Sequence, residues 1–291
     1  MIGTVLARSD CYVSLRSVCA FEAVMGEWLS KCDTDCAPLG FHWCLGVPIV
    51  DQSKLGPDGA NQSNELVSKA DLPRRVVSGG TTIMLEHIEI DTTLTRTDQF
   101  IERVIKRNTK NGNLVELLTT RTTFSHNGKP KIIDDRQYAF IARNHTKAPE
   151  AQTSGNQQAT EAQHFSQEHV FDPVLLFRYS ALNFNAHRIH YDREYCRDVE
   201  GLPDIVVQGP LQATLLWNLA VRRHGLNPPY QFSFRHLQPL FVSQHCKAIA
   251  TGHSATSIEL QIAPIGGLPC TRGKIDKEIS PHWSATCVPT D

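Results

Sequence analysis

The chain has 291 residues, 41% hydrophobic and 20% charged, a balance typical of a globular protein with one or two domains and a substantial core. A formal charge of −1 gives no overall pull toward nucleic acid or an anionic membrane, and no apolar run reaches the ~18 residues of a spanning helix. Nine cysteines are an odd number in a chain too large to need staples, so they read as reduced thiols in an intracellular compartment.

Residues 1–40 stand apart. MIGTVLARSDCYVSLRSVCAF carries Arg8, Arg16, several Ser and only Asp10 as an acid before Glu22, which suits either a mitochondrial presequence or a divergent first strand. Cys11, Cys19, Cys32, Cys36 and Cys44 crowd near His42, but no C-x-x-C pair spaces them for zinc, and no metal is expected.

Residues 41–145 hold strand-like runs. FIERVIKR, LVELLTTRTTF and KIIDDRQYAFIAR are separated by Asn111-Gly112 and Asn127-Gly128, the dipeptides that favour tight hairpins. Residues 146–172 are expected to link two units, because EAQTSGNQQATEAQ has too little apolar surface to offset the entropy of ordering. In residues 173–291 the rhythm returns: FSFRHLQPLFVSQHCKAIA, a turn near Gly252, TSIELQIAPI, then Gly266-Gly267. Turns at 112 and 128 against 252 and 267 give an offset of about 140 residues, the mark of a duplicated unit.

The clearest helix is Pro210–His224. Pro210 suits a first helical turn, Leu211, Leu215 and Leu219 keep its period, Arg222-Arg223-His224 suit its negative end, and Gly225 stops it. Leu216, Trp217 and Ala220 widen the apolar surface, so the helix is expected to be wrapped on several sides. One buried helix followed by an antiparallel meander is a hotdog layout. The fold expected is α+β, a double hotdog: two antiparallel sheets, each wrapped around a central helix.

The segment Arg178–Leu216 carries the chemistry. Asn185, His187, Arg188, His190 and Asp192 lie about twenty residues ahead of Gly209-Pro210. A histidine can move a proton in both directions near neutrality, and the free N–H groups at a helix start can hold an oxygen that gains charge. Plainer roles stand beside these. His190 can be a satisfied turn histidine, and Arg188 can pair with Asp192 or Glu194 instead of touching phosphates. Arg74-Arg75 can be a phosphate clamp or a solvated pair. Asp192 suits the N-cap of a short helix through Val199, and Phe41 and Trp43 suit the core. His187 and His190 at i and i+3 lack a third metal ligand.

Three stretches resemble the MaoC-like enoyl-thioester hydratases and type 2 hydroxyacyl-thioester dehydratases, in their two-hotdog branch. They are Arg178-Tyr179-Ser180-Ala181-Leu182, the run from Phe184 to Asp192, and Gly209-Pro210-Leu211-Gln212-Ala213-Thr214-Leu215-Leu216. In the first half, Phe41-His42-Trp43, the 52–59 segment with Leu55-Gly56-Pro57-Asp58-Gly59, and Leu72-Pro73-Arg74-Arg75 followed by Gly79-Gly80 look like the same branch.

The resemblance implies a lyase that hydrates or dehydrates an enoyl or 3-hydroxyacyl thioester of coenzyme A or acyl carrier protein. His190 would carry the proton, Asn185 would orient water or hydroxyl, and Gly209 would supply the oxyanion N–H. Arg188, Gln208, Pro210, Leu211 and Arg74 would contact substrate. No cofactor, nucleic acid or membrane partner is implied, and the location is mitochondrial or cytoplasmic, as a monomer or homodimer. The first hotdog lacks an H-x-D signature, so it is expected to be silent and to build the acyl groove.

Two departures stand out. Asn185 replaces the family's usual Asp, and an amide cannot act as acid or base near pH 7. Gln208 replaces a frequent His before the Gly. Both, with the short 60–70 segment, leave open a specialised dehydratase or cyclase, or a protein that binds acyl thioesters without converting them. A thioesterase is disfavoured because residues 211–225 contain no Asp or Glu.

Overall fold

A computed structural model describes residues 3–30, 35–62, 66–108, 112–142 and 166–279. Among these residues ten strands form one antiparallel sheet: β1 (Val5–Tyr12), β2 (Arg74–Met84), β3 (Thr93–Arg107), β4 (Leu114–His126), β5 (Lys129–Ile141), β6 (Ser166–Val170), β7 (Tyr230–His236), β8 (His245–His253), β9 (Ser257–Pro264) and β10 (Thr271–Asp276). Their order is β1-β3-β4-β5-β2-β7-β10-β9-β8-β6. The first five strands and the last five have the same internal order reversed, so the halves are related by duplication and meet at β2 and β7.

That seam explains a glycine pair. In β2, a Cβ at Gly79 would stand 2.5 Å from Phe234 O, and one at Gly80 would stand 2.6 Å from Asp135 O. Only bare Cα atoms let β5, β2 and β7 approach this closely. The seam runs from Gly79 opposite Arg235 to Met84 opposite Tyr230.

Among the described residues there are three α-helices, α1 (Leu15–Met25), α2 (Pro173–Leu182) and α3 (Gly209–His224); α3 lies on β7–β10, and α1 packs against α2. Ser14 caps α1 by accepting from Ser17 N, and Asp172 caps α2 by accepting from Val174 N and Leu175 N. Pro210 opens α3 and Gly225 closes it in the left-handed region at φ 58°. Every residue from Leu211 to Ala220 is buried, which fits a helix enclosed on several sides.

The double hotdog expectation holds, with two differences in its parts. The halves share one continuous sheet, and the long helix α3 packs on the second-half strands β7–β10. Between α1 and β2 the described residues form 3-10 turns at Gly26–Trp28, Phe41–Cys44 and Gln52–Lys54 and isolated bridges at Cys36 and between Leu55 and Asn61. The middle turn packs on α3: Trp43 lies 6.0 Å from Trp217 and 5.6 Å from Phe234, between ring centroids. Asn218 of α3 donates to Leu39 O at 3.1 Å and accepts from Ser30 N at 2.9 Å, fastening first-half chain to second-half helix.

Residues 5–12, expected as presequence or first strand, form β1 paired with β3. The connector expected at 146–172 is shorter on its C-terminal side, since 166–170 form β6, paired with β8. Residues 143–165 lie outside the described ones. Among the described residues, no helix is long and apolar enough to cross a membrane.

Candidate active site

A cavity of about 1450 Å³ opens where the two halves meet, and both line it. Its walls include His190, Asn185, Gln208, Gly209 and Pro210 from the second half and Arg74, Trp43, Asp134 and Arg136 from the first.

The candidate segment from Asn183 to Asp192 leaves α2 through a tight bend. Phe184 takes φ 50°, a left-handed conformation uncommon for a bulky side chain, and its neighbour Asn185 donates its N–H to Ser180 O at 2.9 Å. The Asn185 side-chain oxygen accepts from His187 N at 3.0 Å, an Asx turn. A 3-10 turn, Arg188–His190, follows and delivers the imidazole.

His190 is buried, and its Nδ1 lies 2.8 Å from Val206 O. A carbonyl can only accept, so Nδ1 carries the proton and Nε2 keeps its lone pair. Burial pushes this histidine down to about 4, so it is the neutral, proton-accepting form at pH 7. Val206 also donates to Ile189 O at 2.8 Å, tying the turn to the strand-like approach to α3.

Gly209 begins α3, where a backbone N–H has no carbonyl one turn back to reach, at the positive end of the helix. His236 packs against it, with Nε2 only 2.4 Å from where a Cβ would stand. Gln208, at the N-cap position, does not cap. Its amide donates to Leu176 O at 2.8 Å and to Ser180 Oγ at 2.9 Å, bracing α2 against the mouth of α3.

His190, Asn185, Gly209, Gln208, Pro210 and Arg74 therefore share the cavity wall. Leu211 instead faces the core, with no exposed surface. Of the two roles open to Arg188, phosphate contact or an acidic partner, the side chain takes the second: it pairs with Asp192 at 2.8 Å, stacks 4.1 Å over the Tyr195 ring and donates to Pro57 O. Arg74 is neither a phosphate clamp nor solvated: it is buried against Glu200, with Nη2–Oε2 at 2.6 Å. Arg75 donates to Asn61 O and Leu66 O. Asp192 caps the turn beginning at Tyr195, accepting from Tyr195 N at 2.9 Å, the role its position suggested.

Sequence reasoning missed a buried polar cluster in the first half. Asp134 accepts from Trp43 Nε1 at 3.1 Å, from Thr82 Oγ1 at 2.6 Å and from Arg136 at 3.3 Å, with His42 Nε2 at 3.7 Å. Burial alone would raise its carboxyl, but Arg136 and then His42 and Thr82 hold it far below the usual range. These residues are scattered along the chain at ordinary spacing, and only the sheet register joins them.

Comparison with known proteins agrees on one family. The model described as Hydroxyacyl-thioester dehydratase type 2 matches residues 40–242. The chain is 34% identical over 209 residues to a mesaconyl-C(4)-CoA hydratase from Chloroflexus aurantiacus, covering 72% of each. It is 36% identical over 115 residues to a mitochondrial hydroxyacyl-thioester dehydratase type 2 from Schizosaccharomyces pombe, covering 39% of this chain and 37% of that protein. Among solved structures, a MaoC-like dehydratase from Phytophthora capsici superposes with a TM-score of 0.67 at 14% identity, over 94% of this chain and 95% of that one. A Mycobacterium tuberculosis protein described as a double hotdog superposes with a TM-score of 0.56 at 12% identity, over 95% and 96%.

Proposed function

The chain belongs to the type 2 hydroxyacyl-thioester dehydratases, a family of hydro-lyases, and from that premise we propose that His190, Asn185 and Gly209 hydrate and dehydrate an acyl thioester in this cavity. The carrying observation is the His190 Nδ1 bond to Val206 O, which leaves a basic Nε2 on the cavity that Gly209 also borders.

In the hydration direction, Nε2 takes a proton from water as its oxygen bonds to C3 of the enoyl group. The C2–C3 π electrons move toward the thioester oxygen, and the Gly209 N–H stabilises the enolate. His190 then returns the proton to C2, and the sum is one water added. Dehydration runs the same steps in reverse. Asn185 has its oxygen engaged by His187 N, so its NH₂ is the group left to donate to the water or hydroxyl oxygen. It orients but moves no proton, which leaves His190 as the sole carrier.

His190→Ala is expected to lower kcat/KM for enoyl-CoA hydration by roughly 10²–10⁴-fold, followed as loss of the enoyl ultraviolet absorbance. Near-normal turnover in a folded variant removes His190 from the mechanism. A panel of enoyl thioesters of different length, on coenzyme A and on acyl carrier protein, identifies the acyl group and its carrier. We place the protein in the mitochondrion on the strength of the fission-yeast relative, a reading that fractionation of tagged protein checks.

A further inference from the structure

Resting on that reading, we propose that Asp58, in the first half, is a positioning residue for the His190 imidazole, acting through His187 and Arg188. Among the described residues of the second half, Asp192 is engaged by Arg188 and the Tyr195 N–H, Glu200 by Arg74 and the Tyr195 hydroxyl, and position 185 is an amide. The carboxylate that approaches comes from across the molecule. Asp58 Oδ2 stands 3.9 Å from His187 Nε2, while Oδ1 accepts from Ala60 N at 2.9 Å and so holds the side chain in place.

The same loop grips the backbone of the catalytic segment. Asp58 O accepts from Arg188 N at 2.8 Å, and Pro57 O accepts from the Arg188 guanidinium at 3.0 Å. Gly59, at φ 78°, lies so close that a Cβ would stand 1.9 Å from Ala186 O, so only glycine fits there. His187 in turn presents its ring at 5.5 Å and nearly perpendicular to His190, and His187 O accepts from His190 N at 3.2 Å. The other charged or titratable groups facing His187 are Arg74 and Arg75 of β2 and His190 on its own turn. Burial and then these three depress it to about 3, and Asp58 Oδ2 is the carboxylate oxygen that stands near the ring, at 3.9 Å.

The first hotdog, expected to be silent, thus reaches into the chemistry through one loop. Asp58→Asn keeps the turn to Ala60 and the backbone carbonyl but removes the charge. It is expected to lower kcat roughly tenfold with KM almost unchanged, and to move the acid limb of the kcat–pH profile to lower pH, since losing a nearby anion disfavours an imidazolium. Asp58→Glu should recover part of the rate.

A folded Asp58→Asn protein with unchanged kcat and an unmoved acid limb overturns the proposal. If Asp58→Asn and Asp58→Ser both fail to fold, a purely structural brace accounts for the residue and the proposal falls. Should the unaltered protein hydrate no thioester, the lyase reading fails by itself. The Asp58 proposal is then decided by nuclear magnetic resonance titration of the His187 ring, whose midpoint must drop in Asp58→Asn and whose constancy sinks it.

Discussion

At His190 one carbonyl selects which nitrogen carries the proton. Val206 O holds the proton on Nδ1, and burial keeps the ring neutral down to about pH 4. The acid limb of the kcat/KM–pH profile for hydration is therefore expected near pH 4 rather than at the ordinary histidine value of about 6.5. A limb at pH 6 or above in the folded protein would contradict the buried, tethered imidazole. Stability has its own sign. His190, His236 and His169 are all lowered to about 4 by burial, so each binds a proton in the unfolded chain before the folded one. Their contribution is complete above about pH 6.5 and is lost as the pH falls toward 4, which thermal melts at stepped pH will register. At this scale the sequence named His190, Asn185 and Gly209 but not their condition. A tautomer set by a carbonyl sixteen positions away has no local signal, and neither has the turn of Leu211 into the core.

At the scale of elements, α3 was legible end to end, because Pro at its start, Gly after its end and the apolar period are local properties. What the period could not reveal is what encloses it. The helix is packed not only by its own strands but by first-half chain at Ser30, Leu39 and Trp43. Gly40 is the tightest point, at φ 89° with a hypothetical Cβ 2.5 Å from Thr214 Oγ1. Gly40→Ala would combine a left-handed backbone with overpacking against a buried helix. Destabilisation of about 2–4 kcal/mol is expected from chemical denaturation, with the m-value unchanged. A change under about 0.5 kcal/mol would mean that the first-half segment yields easily and does not brace α3.

At the scale of the molecule, turn spacing disclosed the duplication but not how the copies merge, since strand pairing across β2 and β7 depends on contacts far apart in sequence. The merged arrangement makes the halves energetically interdependent, and Arg74 with Glu200 is the place to measure it. Arg74 Nε and Nη2 both meet Glu200 Oε2 at 2.6 Å, Nη2 also donates to Glu200 O at 2.5 Å, and Glu200 Oε1 accepts from Tyr195 OH at 3.0 Å. Both side chains are 7% exposed, so the remaining charge cannot be rescued by water when one partner is removed. Arg74→Met is expected to cost about 3–5 kcal/mol, because it strands a buried carboxylate, whereas Arg74→Met with Glu200→Gln should recover much of that loss. Tyr195 lies under the Arg188 guanidinium, so the single variant should also lose hydratase activity and the double variant regain part of it. A double mutant no more stable than the single would show that the pair is dispensable as a charge pair and that packing alone joins the two hotdogs.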